Sequence, residues 1–162
     1  MKTLLLMRHA KSSWKQLSLA DHDRPLNKRG KRDAPEMGDL MRKMQLVPDL
    51  VLSSTARRAR DTARLVADAC HYSGEIETHR DLYLSDTTCY LDILRCLPDE
   101  VNLVLVVGHN PDMEELLTLL TGNTERLPTC ALAQVELPIT SWVNLNEATD
   151  GRLQNLWLPQ NP

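Results

Sequence analysis

The strongest constraint in the sequence is an alternation of short apolar runs with stretches of helical periodicity. The apolar runs at residues 4–7, 50–52 and 103–107 have the length and composition of buried β-strands. Helical periodicity fills the intervals between them, at residues 30–45, 56–70 and 87–97. Strands that alternate with helices predict an α/β fold, a three-layer α/β/α sandwich with a mostly parallel central sheet.

The C-terminal third has a different pattern. Residues 131–137 and 152–158 alternate apolar and polar side chains around the turn-rich stretch 144–151, so we expect an antiparallel strand at the C-terminal edge. A weaker strand is expected at residues 75–78. The chain carries no repeat and no long linker, and its 162 residues therefore predict a single domain.

Composition excludes several classes of function. A net charge of -3 and six aromatic residues, none of them Phe, argue against a nucleic-acid partner. The apolar run near the N-terminus is too short for a signal peptide or a membrane span, so we expect a cytoplasmic protein without a membrane partner. The four cysteines form no Cys-x-x-Cys pair, and no His or carboxylate pair has ligand spacing, so no metal or cofactor is expected.

Polar and cationic residues follow the three apolar runs. They are Arg8 and His9 after the first, Ser53, Ser54 and Arg58 after the second, and Gly108, His109 and Asn110 after the third. Ligands of open α/β sheets bind beyond the carboxyl ends of the strands, so these side chains are expected to meet. Histidines beside permanently charged guanidinium groups suit a phosphoryl group, which needs a nucleophile and several donors.

Two helix starts are predicted beside this site. Thr55 is a candidate N-cap that places Arg58 in the first helical turn, where free backbone amides favour an anion. Asn110 is the corresponding cap of the later helix, with Pro111 at its first position and Gly122 as its C-terminal stop.

Less specific interpretations compete with these assignments. A single His after a strand is usually an ordinary loop residue. A catalytic role is favoured here because two such residues, His9 and His109, follow two strands. Trp14 either borders the pocket or covers the core. The remaining charged candidates are expected on the solvated surface: Arg57, Arg60, Arg64, His22, His71, His79, Asp21 and Asp23.

Three motifs, in this order along nearly the whole chain, resemble those of the histidine phosphatase superfamily, also called phosphoglycerate mutase-like. They are Arg8-His9-Ala10, Ser53-Ser54-Thr55-Ala56-Arg57-Arg58-Ala59 and Gly108-His109-Asn110-Pro111. Within the superfamily, the short chain and three further motifs look like the bacterial phosphohistidine phosphatase subgroup, SixA. These are Arg8-His9-Ala10-Lys11-Ser12, Asp23-Arg24-Pro25-Leu26 and Leu26-Asn27-Lys28-Arg29-Gly30.

The resemblance implies a phosphoglycerate mutase-like fold and a metal-independent phosphatase. His9 is then the nucleophile, Arg8 and Arg58 hold the phosphoryl oxygens, and His109 completes the pocket. Substrate-binding roles extend to Arg24, Ser12 and Asn110. We expect the guanidinium groups to keep His9 neutral before substrate binds, and the phosphate dianion then to favour protonated His109.

The sequence departs from the family pattern at three places. Ala10 replaces a common Gly, and Thr55 replaces a common Pro. The Glu motif that supplies a general acid in mutases has no clear match at residues 82–86. Asp86 is the candidate general acid by position, against the simpler interpretation of a surface carboxylate.

The absence of lid insertions predicts an open cleft. Such a cleft suits a phosphohistidine carried by another protein, such as a histidine-containing phosphotransfer domain. The alternatives are a phosphatase of small phosphoesters such as sugar or nucleotide phosphates, and a non-catalytic phosphate-binding module of the same fold. A metal-dependent hydrolase is disfavoured for lack of ligand spacing.

Overall fold

The computed structural model describes residues 1–160 and contains a central sheet flanked by helices. The strands of the described residues are β1 Lys2–Arg8, β2 Leu50–Ser54, β3 Ile76–His79, β4 Leu103–Gly108, β5 Leu132–Leu137 and β6 Arg152–Trp157. The α-helices are α1 Lys28–Lys43, α2 Arg57–Cys70, α3 Thr87–Arg95 and α4 Asp112–Thr121. None of these helices is long and apolar enough to cross a membrane.

The sheet has the order β3-β2-β4-β1-β5-β6. Its first four strands are parallel, β5 is antiparallel to β1, and the edge strand β6 is antiparallel to β5. The predicted α/β fold with a mostly parallel sheet and an antiparallel pairing at the C-terminal edge is confirmed. In the register of β1 and β4, Arg8 pairs with Gly108, so the two strands end side by side.

The two faces of the sheet bury different helices. Leu5 and Met7 of β1 pack with α1 and α2 on one face, whereas Leu4 and Leu6 pack with α3 and α4 on the other. Because successive strand residues point to opposite faces, a continuous apolar run is needed to fill both layers. This arrangement explains why the central strands carry no polar alternation until their carboxyl ends.

Two predicted helix caps are wrong. Ala56, not Thr55, holds the N-cap position of α2, because the Thr55 hydroxyl bonds to His22 and the Ser54 hydroxyl accepts the Ala56 amide. In α4 the cap position falls to Pro111 instead of Asn110.

The predicted C-terminal stop is confirmed. Gly122 ends α4 with a left-handed φ of 74°. Arg58 is the second residue of α2, as the motif predicted.

Candidate active site

A cavity of about 500 Å³ lies where β1 and β4 end. It is lined by Arg8, His9, Lys11, Ser12, Trp14, Arg24, Arg58, Tyr83, Leu84, Ser85, His109, Asn110, Pro111, Asp112 and Thr129. All the predicted site residues except Asp86 are therefore brought to one cavity. Its volume falls in the range of ordinary small-ligand sites.

His9 follows β1 and is almost fully buried, with 7 % of its surface exposed. Its Nδ1 lies 2.7 Å from the carbonyl oxygen of Ala10. A carbonyl only accepts hydrogen bonds, so Nδ1 carries the proton and Nε2 keeps its lone pair. The orientation of the ring is thus set by its own loop.

That loop is tied to α2. The Ala10 amide donates to Thr62 Oγ1 at 2.9 Å, and the Thr62 hydroxyl donates to the Arg58 carbonyl oxygen at 2.7 Å. The start of α1 approaches the same loop, and a Cβ on Gly30 would lie 2.2 Å from the carbonyl oxygen of Lys11. Only glycine permits this approach.

The environment of His9 keeps it neutral. Burial is the main cause that lowers the pKa of His9 to about 3, and His109, Arg58 and Arg8 lower it further against the opposing hydrogen bond to Ala10. The Arg58 Nε lies 3.4 Å from His9 Nε2 and donates toward it. A neutral, desolvated Nε2 beside guanidinium groups is a competent nucleophile.

Arg58 is held by Asp21 as well as by its contact with His9. Its Nη1 donates to the Asp21 carbonyl oxygen at 2.7 Å, and its Nη2 donates to Asp21 Oδ2 at 3.0 Å. Tyr83 donates to the same Oδ2 at 2.7 Å, and Arg24 Nε donates to Oδ1 at 3.1 Å. One carboxylate therefore orders two of the arginines that line the cavity.

The charge of Asp21 is stabilised by these bonds. Partial burial alone would raise the pKa of Asp21, but the hydrogen bonds from Tyr83 and Arg58 outweigh it and lower the pKa to about 2. Sequence reasoning placed Asp21 on the solvated surface and did not single out Tyr83. The sequence signal for a role of Asp21 was its position three residues before Arg24, because a 3₁₀ turn at Asp21–Asp23 brings these two side chains together.

Arg24 joins the site to the loop after His9. Its Nη1 donates to Ser12 Oγ at 2.8 Å, and its guanidinium carbon lies 3.5 Å from the centroid of the Trp14 ring. Trp14 is 66 % exposed and borders the cavity. Of its two predicted positions, the pocket border is therefore correct and the cover over the core is wrong. The Ser12 hydroxyl thus supports Arg24 directly.

His109 faces His9 across the cavity, with ring centroids 5.2 Å apart. Its Nε2 lies 2.8 Å from Ser54 Oγ, and its Nδ1 is buried with no partner among the described residues. Burial and the nearby Arg58 lower the pKa of His109 to about 4. His109 is therefore also neutral in the free protein at neutral pH.

Two further buried polar atoms of the cavity residues lack partners within residues 1–160. They are Arg8 Nε and Asn110 Oδ1. Arg8 Nη1 donates to the carbonyl oxygen of Leu127 at 3.2 Å, and Asn110 Nδ2 donates to the same oxygen at 2.9 Å. Buried polar atoms without partners are uncommon, and their concentration here points to a polar ligand.

Asp86 lies outside the set of lining residues. Its exposed carboxylate accepts the amide of Cys89 at 3.0 Å and caps α3. Asp112, at the start of α4, is the carboxylic acid that lines the cavity, and it is 5 % exposed. Burial raises the pKa of Asp112. Asp112 was not among the site residues predicted from the sequence.

No group of three or more His, Cys, Asp or Glu side chains is arranged to hold a metal ion within residues 1–160. The cations of the cavity are the guanidinium groups of Arg8, Arg24 and Arg58 and the ammonium group of Lys11.

Known proteins resemble this chain in sequence and in structure. The family described as "Histidine phosphatase superfamily (branch 1)" matches residues 4–83. An uncharacterised protein of Mycobacterium leprae is 33 % identical over 94 % of this chain and 92 % of its own. An uncharacterised chloroplastic protein of Arabidopsis thaliana is 33 % identical over 87 % of this chain and 69 % of its own.

Among solved structures, a protein from Agrobacterium tumefaciens provisionally named phosphohistidine phosphatase SixA superimposes with a TM-score of 0.83. It is 30 % identical, and the match covers 98 % of both chains.

Proposed function

Because the chain belongs to the histidine phosphatase superfamily, we propose that it removes phosphate from protein phosphohistidine through a phosphohistidine intermediate on its own His9. The observation that carries the proposal is the tautomer of His9, whose Nδ1 donates to Ala10 and leaves Nε2 unprotonated, facing Arg58 Nε, in a cavity lined by arginines.

The first step forms a bond between His9 Nε2 and phosphorus while the bond from phosphorus to the substrate nitrogen breaks. Arg8 and Arg58 hold the oxygens of the transferring group, and the unpartnered Arg8 Nε is a donor for one of them. The departing imidazole takes up a proton from solvent and leaves as a neutral ring. Neither this step nor the hydrolysis that follows it needs a metal on this proposal, because the guanidinium groups supply the positive charge.

The second step hydrolyses the intermediate. Water attacks phosphorus, the bond to His9 Nε2 breaks, and inorganic phosphate leaves with the hydroxyl of the water, while the remaining proton of the water returns to solvent and balances the one used in the first step. The dianion in the cavity raises the affinity of His109 for a proton, so His109 becomes a positive donor to the phosphoryl oxygens when substrate is bound. Its buried Nδ1, which lacks a partner among residues 1–160, is the atom available for that donation.

The choice of a protein substrate rests on the likeness to the Agrobacterium protein and on leaving-group chemistry. Imidazole is a good leaving group and needs little help from a dedicated acid. The natural carrier on this proposal is a histidine-containing phosphotransfer domain.

A phosphatase of small phosphoesters is the second candidate, and Asp112 favours it. An alkoxide leaving group needs a proton from a general acid, and a buried carboxyl group with a raised pKa in the cavity can keep one.

The test compares turnover of a phosphotransfer domain phosphorylated on histidine with turnover of a panel of sugar and nucleotide phosphates, all in the presence of a chelator. We expect the phosphoprotein to give the highest kcat/KM and His9→Ala to lose at least about 10³-fold. A preferred sugar or nucleotide phosphate would favour the second candidate. Phosphate binding without turnover would identify a non-catalytic binding module, and loss of activity in chelator would contradict the metal-independent route.

A further inference from the structure

Two large apolar side chains at the cavity are exposed to solvent. Trp14 is 66 % exposed and Leu84 is 84 % exposed, and both line the cavity that contains the arginines. Single exposed apolar residues are ordinary, but two large ones at the border of one polar cavity indicate a contact with another molecule. Trp14 and Leu84 are called the apolar rim below.

The backbone fixes Leu84 in its exposed position. Its φ is 51°, in the left-handed region that residues other than glycine, bulky ones above all, rarely adopt. Neighbours on both sides hold this conformation, because Tyr83 donates to Asp21 at 2.7 Å and Asp86 caps α3 through the Cys89 amide at 3.0 Å. Strained residues that their surroundings keep in place concentrate at ligand contacts.

Trp14 is also held in place. Its ring lies against the guanidinium group of Arg24, which bonds to Ser12 and Asp21. This contact favours one orientation of the ring while most of its surface faces solvent, and exposed aromatic rings are typical anchors of protein interfaces.

We propose that the apolar rim docks the protein surface that surrounds the phosphohistidine, an inference that rests on the proposed function. Cationic charge inside the cavity together with apolar surface at its border selects this occupant. The cations of Arg8, Arg24 and Arg58 lie in the cavity and match a phosphoryl dianion, whereas the rim matches apolar side chains next to it. A sugar phosphate brings hydroxyl groups to that position, but a protein surface brings apolar side chains close to its phosphorylated residue.

The test uses two substrates with the same phosphorus to nitrogen bond. One is a histidine phosphotransfer domain phosphorylated on histidine, and the other is phosphoimidazole, which has no protein surface. The measured quantity is the ratio of kcat/KM for the protein to kcat/KM for phosphoimidazole. Any variant that only disturbs the cavity lowers both values and leaves this ratio unchanged.

Leu84→Asn is the sharpest variant, because Asn tolerates the left-handed backbone and removes the apolar group. We expect it to lower the ratio about tenfold, the effect of losing an interface anchor. Trp14→Ala is expected to lower the ratio by a similar factor. Any effect of this variant on Arg24 changes both kcat/KM values and so cancels in the ratio. The matched control is Val143→Asn, since Val143 is 67 % exposed and lies outside the cavity lining, and its ratio should match the wild type.

An unchanged ratio in both Leu84→Asn and Trp14→Ala overturns the docking surface and leaves the phosphatase proposal intact. If wild-type protein hydrolyses phosphoimidazole but not the phosphorylated domain, the docking surface and the protein substrate both fail, and only the chemistry at His9 stands. If wild type hydrolyses neither substrate and no phosphoester, the proposed function itself fails, and the docking surface with it.

Discussion

Arg58 Nη2 donates to Asp21 Oδ2 at 3.0 Å, so a guanidinium group that touches the candidate nucleophile is paired with a carboxylate before any phosphate arrives. The pair links the loop before α1 to the first turn of α2. Asp21 thereby orients Arg58 and also neutralises part of the positive charge that would otherwise retain the phosphate product.

Asp21→Asn tests that balance. The amide keeps the shape of the side chain but removes the negative charge, so inorganic phosphate should inhibit the variant at a concentration about three- to tenfold lower than the wild type. Inhibition constants for phosphate measure the effect. Weaker inhibition would show that orientation of Arg58, rather than neutralisation, is the main role of Asp21.

The two histidines predict a specific titration. In the folded free protein, His9 and His109 should protonate with pKa values of about 3 and 4. NMR resonances of both rings should therefore stay constant from about pH 8 to pH 5.5, and in denaturant they should titrate near the ordinary value of about 6.5. Added phosphate should raise the pKa of His109. Protonation of both rings at neutral pH in the free protein would contradict the proposed nucleophile.

The same shifts fix the sign of the pH dependence of stability. Below about pH 6.5 the unfolded chain binds protons at these histidines that the folded chain does not bind. Their contribution to the free energy of unfolding therefore falls as pH drops from about 6.5 toward 3. Urea denaturation of His109→Gln should show a smaller fall than the wild type over this window.

Ser54→Ala should damage the site through His109 and through the start of α2, because the Ser54 hydroxyl also accepts the Ala56 amide at 3.1 Å. The change leaves Nε2 of a buried histidine without its partner at 2.8 Å, which costs about 1–3 kcal/mol of stability and lets the ring rotate. We expect a lower kcat together with this loss. Ser53→Ala is the matched control, because Ser53 is equally buried and its hydroxyl donates only to the Ser54 carbonyl oxygen. If kcat falls equally in both variants, Ser54 has no specific effect on His109.

Asp112→Asn tests whether Asp112 is the general acid that turnover of a small phosphoester needs. If Asp112 donates a proton to a leaving group, turnover of an alkyl phosphate should fall about 10²-fold or more, and turnover of p-nitrophenyl phosphate should fall much less. Asp86→Asn is the control, since Asn also caps a helix and residue 86 lies outside the cavity lining. Equal losses on both substrates would exclude a role for Asp112 as acid.

The strands and the residues at their ends could be predicted from sequence. Central parallel strands need continuous apolar runs, and polar side chains directly after such runs are carried to one edge of the sheet. Arg8, His9, Arg58 and His109 come after such apolar runs. The local sequence pattern was therefore enough to predict that they lie together. Their family motifs then narrowed the chemistry.

The contacts between loops could not be predicted. Asp21 and Tyr83 are 62 positions apart, and Thr62 reaches Ala10 across 52 positions. Such pairings depend on how the loops pack over the sheet, and they produce no periodic pattern in the sequence. The cap at Thr55 was misplaced for a related reason, because its hydroxyl bonds to a distant side chain, His22, instead of the helix amides.

Trapping the intermediate is the most direct measurement. Protein quenched at alkaline pH during turnover of the phosphorylated domain should carry one acid-labile phosphate on Nε2 of His9, detected by mass spectrometry and ³¹P NMR, and His9→Ala should carry none. Phosphate on another residue, or turnover retained by His9→Ala, would contradict the proposed mechanism.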